Sequence, residues 1–265
     1  MTADAQWQGS MPEVYDRCLG PVLFAPYAAE LARRAAALAP ARVLELAAGS
    51  GIATAALVEA LPATAITATD LNEAMVHWGS SRVPGATWRQ ADAQELPFDD
   101  GAFDLVVSQF GAMFFPDRAR AHAEALRVLR PGGTSLFTVW DVVEGSTFTA
   151  ALVSALAEVL PADPPGFVVR VPHGYADPAV IKADLVAGGL VPGAVDRVVL
   201  QGRAGSAAQL AEGFCLGTPL RFDLQERGSL EELVPAVTSA MTARLGEGAL
   251  VGDLTAWFVT ACRPS

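Results

Sequence analysis

Apolar and polar positions alternate along the chain in blocks. The spacing over residues 22–39 predicts a leading helix, the apolar run 42–47 a first strand, and the alanine-rich segment 52–61 the helix that follows it. Thr64 to Thr69 reads as a second strand ending in Asp70, and Asn72 as the cap of a helix running to Ser81. A short third strand is predicted at Thr87 to Gln90 and a fourth at Phe103 to Ser108. A helix follows over Arg118 to Leu129, closed by Pro131-Gly132-Gly133, and then a fifth strand over Thr134 to Trp140. Strands and helices alternating in this way predict a mainly parallel sheet covered on both faces.

Beyond residue 141 the pattern changes. Residues 146–160 read as helical and Pro161 to Pro172 as a proline-rich loop, after which Asp177-Pro178 opens a helix with its cap and first-turn proline in order. Ser229-Leu230-Glu231-Glu232 has the form of a capping box. Val195 to Leu200 and Leu254 to Ala261 read as two late strands that complete the sheet as a hairpin, with helices before and between them. The expected fold is α/β and Rossmann-like, a seven-stranded, mostly parallel sheet with an inserted helical cap. Its expected parts are an N-terminal helical segment over 1–41, a ligand-binding core over 42–140, the cap over 141–192 and the remainder of the sheet over 193–265.

The 265 residues are enough for a sizeable core, and 52% hydrophobic with 18% charged residues predicts a compact globular protein. A formal net charge of −11 argues against nucleic-acid partners, which are held by clustered Lys and Arg. Cys18, Cys215 and Cys262 lie far apart and suggest neither a zinc site nor a disulfide framework. The N-terminus shows no signal-peptide pattern, and no apolar run reaches the length of a membrane span, so a soluble cytoplasmic protein is expected.

The chemistry is concentrated where the first strand ends. Glu45 closes an apolar run, and Ala47, Gly49 and Gly51 follow at alternate positions before the helix. A dinucleotide fingerprint, G-x-G-x-x-G, would need glycine at Ala47 and Ile52 and matches only at Gly49. Acid-x-G-x-G-x-G fits with one departure, alanine for the first glycine. Asp70 ends the second strand, where a carboxylate can accept from both hydroxyls of a ribose, a requirement shared by NAD and S-adenosylmethionine.

The choice between these cofactors rests on Ala91-Asp92-Ala93-Gln94-Glu95-Leu96-Pro97-Phe98. Behind it come Phe103 to Phe110, Phe114-Phe115-Pro116-Asp117 and Arg127-Val128-Leu129-Arg130-Pro131-Gly132-Gly133. With the glycine loop and Asp70, these ordered segments resemble the ubiquinone/menaquinone-biosynthesis-like branch of class I S-adenosylmethionine-dependent methyltransferases over 42–140. Gly213 to Leu220 and the terminal strand are similar to that branch too, less distinctively. The resemblance implies S-adenosyl-L-methionine as cofactor, held by Glu45, Ala47, Gly49, Gly51, Asp70, Leu71, Asp92, Ala93, Ser108 and Gln109. In that family the acid and the residue after it in the D-A-x-x-L-P-F loop hold the adenine.

The implied reaction is methyl transfer by in-line displacement to a small, largely apolar metabolite, with no metal. Phe110, Met113, Phe114, Trp140 and Tyr175 are the candidate acceptor-binding residues. His77 and His122 read as solvated helix residues. His173, in a loop of the cap, is a candidate base. Tyr15 is the second catalytic candidate, in the N-terminal segment that this family often folds over the cofactor. Two alternatives stay open: a protein that keeps the cofactor site without methyl transfer, as a regulator or cyclase-like enzyme, and an NAD-dependent dehydrogenase, which leaves the Asp92 loop unexplained. The sequence does not set the oligomeric state and leaves a homodimer open.

Overall fold

The computed structural model describes residues 9–265. A seven-stranded sheet of order β3-β2-β1-β4-β5-β7-β6 organises it. Its strands are β1 (Arg42–Glu45), β2 (Ala65–Asp70), β3 (Thr87–Gln90), β4 (Phe103–Gln109), β5 (Leu129–Trp140), β6 (Val191–Ala204) and β7 (Leu250–Cys262). The pairs β1–β2, β1–β4, β2–β3 and β4–β5 are parallel, and β5–β7 is antiparallel. The order reverses between β1 and β4, and doubly wound sheets bind ligands at the carboxyl ends of strands on either side of such a reversal.

The helices are α1 (Met11–Cys18), α2 (Ala25–Ala37), α3 (Ile52–Ala60), α4 (Glu73–Arg82), α5 (Arg118–Val128), α6 (Thr147–Val159), α7 (Phe167–Arg170), α8 (Pro178–Ala187), α9 (Ala207–Gly217), α10 (Leu220–Gln225) and α11 (Leu230–Leu245). Several start where the sequence places them. Asn72, Asp117, Asp177 and Ser229 accept from backbone amides of Ala74, Arg120, Ala179 and Glu231 as N-caps.

Contacts divide the chain into two units. One comprises Tyr27–Trp140, Tyr175–Val198 and Ala256–Ser265. Its core takes in both faces of the central strands, with Val43, Leu44, Leu105, Val107, Leu136 and Val139 buried, as are Leu31 of α2 and Leu57 of α3. The other comprises the described part of Met1–Pro26 together with Asp141–Gly174 and Val199–Thr255. It is mainly helical, with α1 against α9 and α11 against α6 and α9. A Cβ at Gly213 would stand 2.6 Å from the Leu19 side chain, and one at Gly217 would stand 2.7 Å from the Tyr15 amide nitrogen. Small residues on α9 therefore let α1 pack closely.

The details depart from the sequence reading in several places, among them β5, which begins at Leu129 and takes in Pro131-Gly132-Gly133 where a helix-closing turn is expected. The leading helix begins as a π-helical turn at Gly20–Phe24 before α2. The loop expected over 161–172 contains the turn of helix α7. Strands β6 and β7 are longer than 195–200 and 254–261. Residues 175–192 group with the sheet, while 199–255 group with 141–174, so the boundaries drawn by contact differ from those drawn by sequence.

Candidate cofactor site

The loop leaving β1 is fixed from both neighbouring strands. Leu46 N–H donates to Val107 O at 2.8 Å, and Ala48 N–H to Thr69 O at 2.9 Å. Ala47, Gly49 and Gly51 all take left-handed conformations, with φ of 52°, 56° and 88°. Gly51 is the N-cap of α3, and a Cβ there would lie 3.2 Å from the Trp88 ring. Two of the three positions thus use glycine for its conformation, and the third carries a methyl where glycine would be favoured.

The two carboxylates play different parts. Asp70 is oriented by backbone amides: Gly49 N–H donates to Oδ2 at 2.9 Å and Asn72 N–H to Oδ1 at 2.8 Å. Burial raises its pKa while both amides oppose the shift. Each oxygen keeps a lone pair for a further donor. Glu45 is fully buried behind the loop and receives Thr54 Oγ1–H at 2.6 Å. Burial pushes its carboxyl to about 8, against the Thr54 bond. Leu71 is exposed, and its carbonyl accepts from Gln90 Nε2 at 2.9 Å.

The loop at Asp92 is a separate structure pinned to α5. Asp92 Oδ1 accepts from Gln94 N–H at 2.8 Å, closing a turn beside buried Ala93. Arg127 then binds the far side. Its guanidinium donates to Leu96 O and Phe98 O, at 2.8 and 2.7 Å, and to the carboxylates of Glu124 and Asp100. Glu124 also accepts from Leu96 N–H at 2.7 Å. The arginine of the R-V-L-x-P-G-G segment therefore grips the D-A-x-x-L-P-F loop, beside Arg120 on Gln94 O at 2.8 Å and Arg89 on Pro97 O at 3.0 Å, a role its place in the sequence did not reveal.

At the ends of β4 and β5 the aromatic candidates form a stack. Phe110 and Trp140 lie face to face with centroids 3.7 Å apart and planes within 6°, and Tyr27 meets both edge-on. Phe110 has φ of 54°, and its N–H donates to Thr138 O at 3.1 Å. An aromatic residue rarely takes that backbone conformation, and the stack on Trp140, with Tyr27 set perpendicular to both rings, holds it there. Met113 is buried and Phe114 partly exposed. Ser108 is buried, and its Oγ has no hydrogen-bond partner among the described residues. Gln109 ends β4. Tyr175 is fully buried with the Arg118 guanidinium 4.2 Å from its ring centre. Burial raises the pKa of its hydroxyl, and Asp184 adds to the rise. Sequence reasoning missed Tyr27, which it had placed only on the helix before β1.

The histidines correct one expectation. His77 is exposed as expected. His122 is not solvated: it is 4% exposed, faces Phe137 at 5.4 Å, and has its pKa lowered to about 4 by burial. A glycine at 188 makes this possible, since a Cβ there would stand 2.5 Å from the His122 Cβ.

Tyr15 and His173 belong to the helical unit. Tyr15 packs against Phe24 with centroids 4.7 Å apart. His173 is 8% exposed, and its Nδ1 lies 2.5 Å from the Asp141 carbonyl oxygen. That oxygen only accepts, so Nδ1 carries the proton and Nε2 the lone pair. Burial lowers the His173 pKa, opposed by the bond to Asp141. Among the described residues no group of three or more His, Cys, Asp or Glu is placed to hold a metal, and no helix is long and apolar enough to cross a membrane.

Residues 44–137, which carry every element of the loop site, match the methyltransferase domain family. Over this stretch the chain carries a methyltransferase domain. Relatives of this methyltransferase domain include the demethylmenaquinone methyltransferase of Clavibacter sepedonicus, 40% identical over 104 residues, which are 38% of this chain and 42% of that protein. A phthiotriol/phenolphthiotriol dimycocerosates methyltransferase of Mycobacterium ulcerans is 38% identical over 99 residues, 37% of this chain and 36% of that protein. The chain thus spans less than half the length of these relatives. Among solved structures, phosphoethanolamine N-methyltransferase 2 of Haemonchus contortus, in complex with S-adenosyl-L-methionine, has the same fold. Its TM-score is 0.62 at 16% identity, covering 100% of this chain and 60% of that one.

Proposed function

We propose that the protein binds S-adenosyl-L-methionine in the loop site and transfers its methyl group to a small, largely apolar metabolite. The observation that carries this reading is Asp70, whose two oxygens are aimed by Gly49 and Asn72 beside a loop of left-handed residues. A carboxylate so held suits a ribose diol, and the loop leaves backbone amides beside it for the rest of the cofactor. Asp92 and the Ala93 amide suit the adenine, as a carboxylate facing an amino donor and an N–H facing a ring acceptor. Glu45, Ala47, Leu71, Ser108 and Gln109 complete the proposed cofactor contacts.

The bound cofactor supplies a methyl group activated by its sulfonium. What remains for the chain is to align an acceptor lone pair and exclude water, and positioning of this kind is worth roughly 7–11 kcal/mol. We assign acceptor contacts to Phe110, Met113, Phe114, Trp140 and Tyr175, and the name of the demethylmenaquinone methyltransferase relative supports an apolar acceptor. Alignment is the main source of rate in this reading. His173 and Tyr15 are the residues through which a contribution from proton transfer is tested. A homodimer is the proposed alternative to a monomer.

Incubation with methyl-labelled S-adenosylmethionine and a panel of quinol, phenol and amine acceptors tests the reaction, with S-adenosylhomocysteine and a labelled acceptor expected. Calorimetry tests the site alone. Binding of S-adenosylhomocysteine without turnover on any acceptor would favour the regulator or cyclase-like alternative, and tight binding of NAD in its place would end the proposal.

A further inference from the structure

Gly111 stands directly after the β4 exit, and nothing in its own backbone calls for glycine. Its φ of −100° and ψ of −36° are open to any residue. Space is what excludes a side chain. A Cβ at 111 would stand 2.5 Å from the Ala47 Cβ and 2.7 Å from Ser108 Oγ. Ala47 is the reverse case: its φ of 52° favours glycine, yet it carries a methyl. The residue with a glycine conformation bears the side chain, and the residue with an ordinary conformation gives up its own.

We propose that Gly111 is a positioning residue for the cofactor loop, its missing Cβ forming the seat of the Ala47 methyl. Through that contact the exit of β4 sets where residues 46–51 stand, and hence where Gly49 presents its amide to Asp70. The functional consequence rests on the cofactor reading above; the fitted contact itself does not. Ser108 lines the same seat, and its hydroxyl, with no hydrogen bond to hold it, can turn aside if residue 111 grows.

A double-mutant cycle tests this, using wild type, Gly111→Ala, Ala47→Gly and the double variant. Each is measured by S-adenosylhomocysteine calorimetry well below its melting temperature, and by thermal melting. Gly111→Ala should bind S-adenosylhomocysteine at least about tenfold more weakly than wild type, a coupling usual for residues in contact. The double variant should bind within about threefold of Ala47→Gly, because removing the methyl reopens the space. A folded Gly111→Ala that binds as wild type overturns the proposal, as does a double variant that recovers nothing. Should Gly111→Ala fail to fold, the double variant decides: folded and binding supports the seat, unfolded overturns it. If wild type binds no S-adenosylhomocysteine, the cofactor reading falls, and the melting temperatures of the four proteins still judge the contact.

Discussion

Burial of Glu45 holds its carboxyl at about 8 in the folded protein, against 4.5 for the free side chain. Between these values the folded state binds more protons than the unfolded chain, so stability falls as pH rises through that window. By pH 7 the loss is roughly 3 kcal/mol. Glu45→Gln should remove this slope and raise stability at neutral pH, measured by urea melts across pH 4–8. His122 has the opposite sign. Its pKa drops from 6.5 to about 4, so the unfolded chain binds the extra proton and stability is lost as pH falls through that range. His122→Leu should flatten the acid side of the profile, and unchanged profiles in both variants would remove these two groups as its source. Asp70→Ala should weaken S-adenosylhomocysteine binding by roughly 1.5–3 kcal/mol, as for a hydrogen bond to a charged group, with the fold retained by circular dichroism. For His173, alignment-dominated transfer predicts that His173→Ala keeps most of the turnover. A loss of roughly 10²–10⁴-fold with unchanged cofactor affinity, and a rate in the parent rising with pH through the histidine pKa, would make it a base.

The element that most rewards a test is the loop from Asp92 to Phe98. Arg127 reaches two of its carbonyls and two carboxylates with one planar fork, a geometry that lysine cannot reproduce. Arg127→Lys is therefore expected to loosen the loop nearly as much as Arg127→Ala. Faster hydrogen exchange at residues 92–98 and weaker cofactor binding are the readouts, and protection equal to wild type would show that the loop's bonds to Glu124, Arg120 and Arg89 suffice. This pairing also marks the limit of what the sequence discloses. The strands, the glycine turn and the caps at Asn72 and Asp177 were legible because each depends on neighbours within a few residues. The grip of Arg127 on a loop 29–31 residues earlier has no periodic signature. Nor does the burial of His122, which depends on a bare glycine at 188, just past the end of α8.

On the scale of the whole molecule, legibility follows chain contiguity. The matched domain occupies one unbroken stretch, 44–137, and its motifs come in order. The helical unit is gathered from three separated stretches, and its contacts, such as α1 on α9 with Arg17 paired to Glu212 at 2.7 Å, join residues 195 apart. Local patterning shows such helices but not their partners. The backbone passes from one unit to the other at 26/27, 140/141, 174/175, 198/199 and 255/256. Threading of that kind constrains any recombination of this gene: neither unit can be cloned as one continuous fragment, and a homologue's helical unit can be grafted only by exchanging three segments together. A single protease nick in the exposed stretch 161–164 should accordingly release no separately folded piece, the two fragments eluting together on a sizing column until denaturant is added.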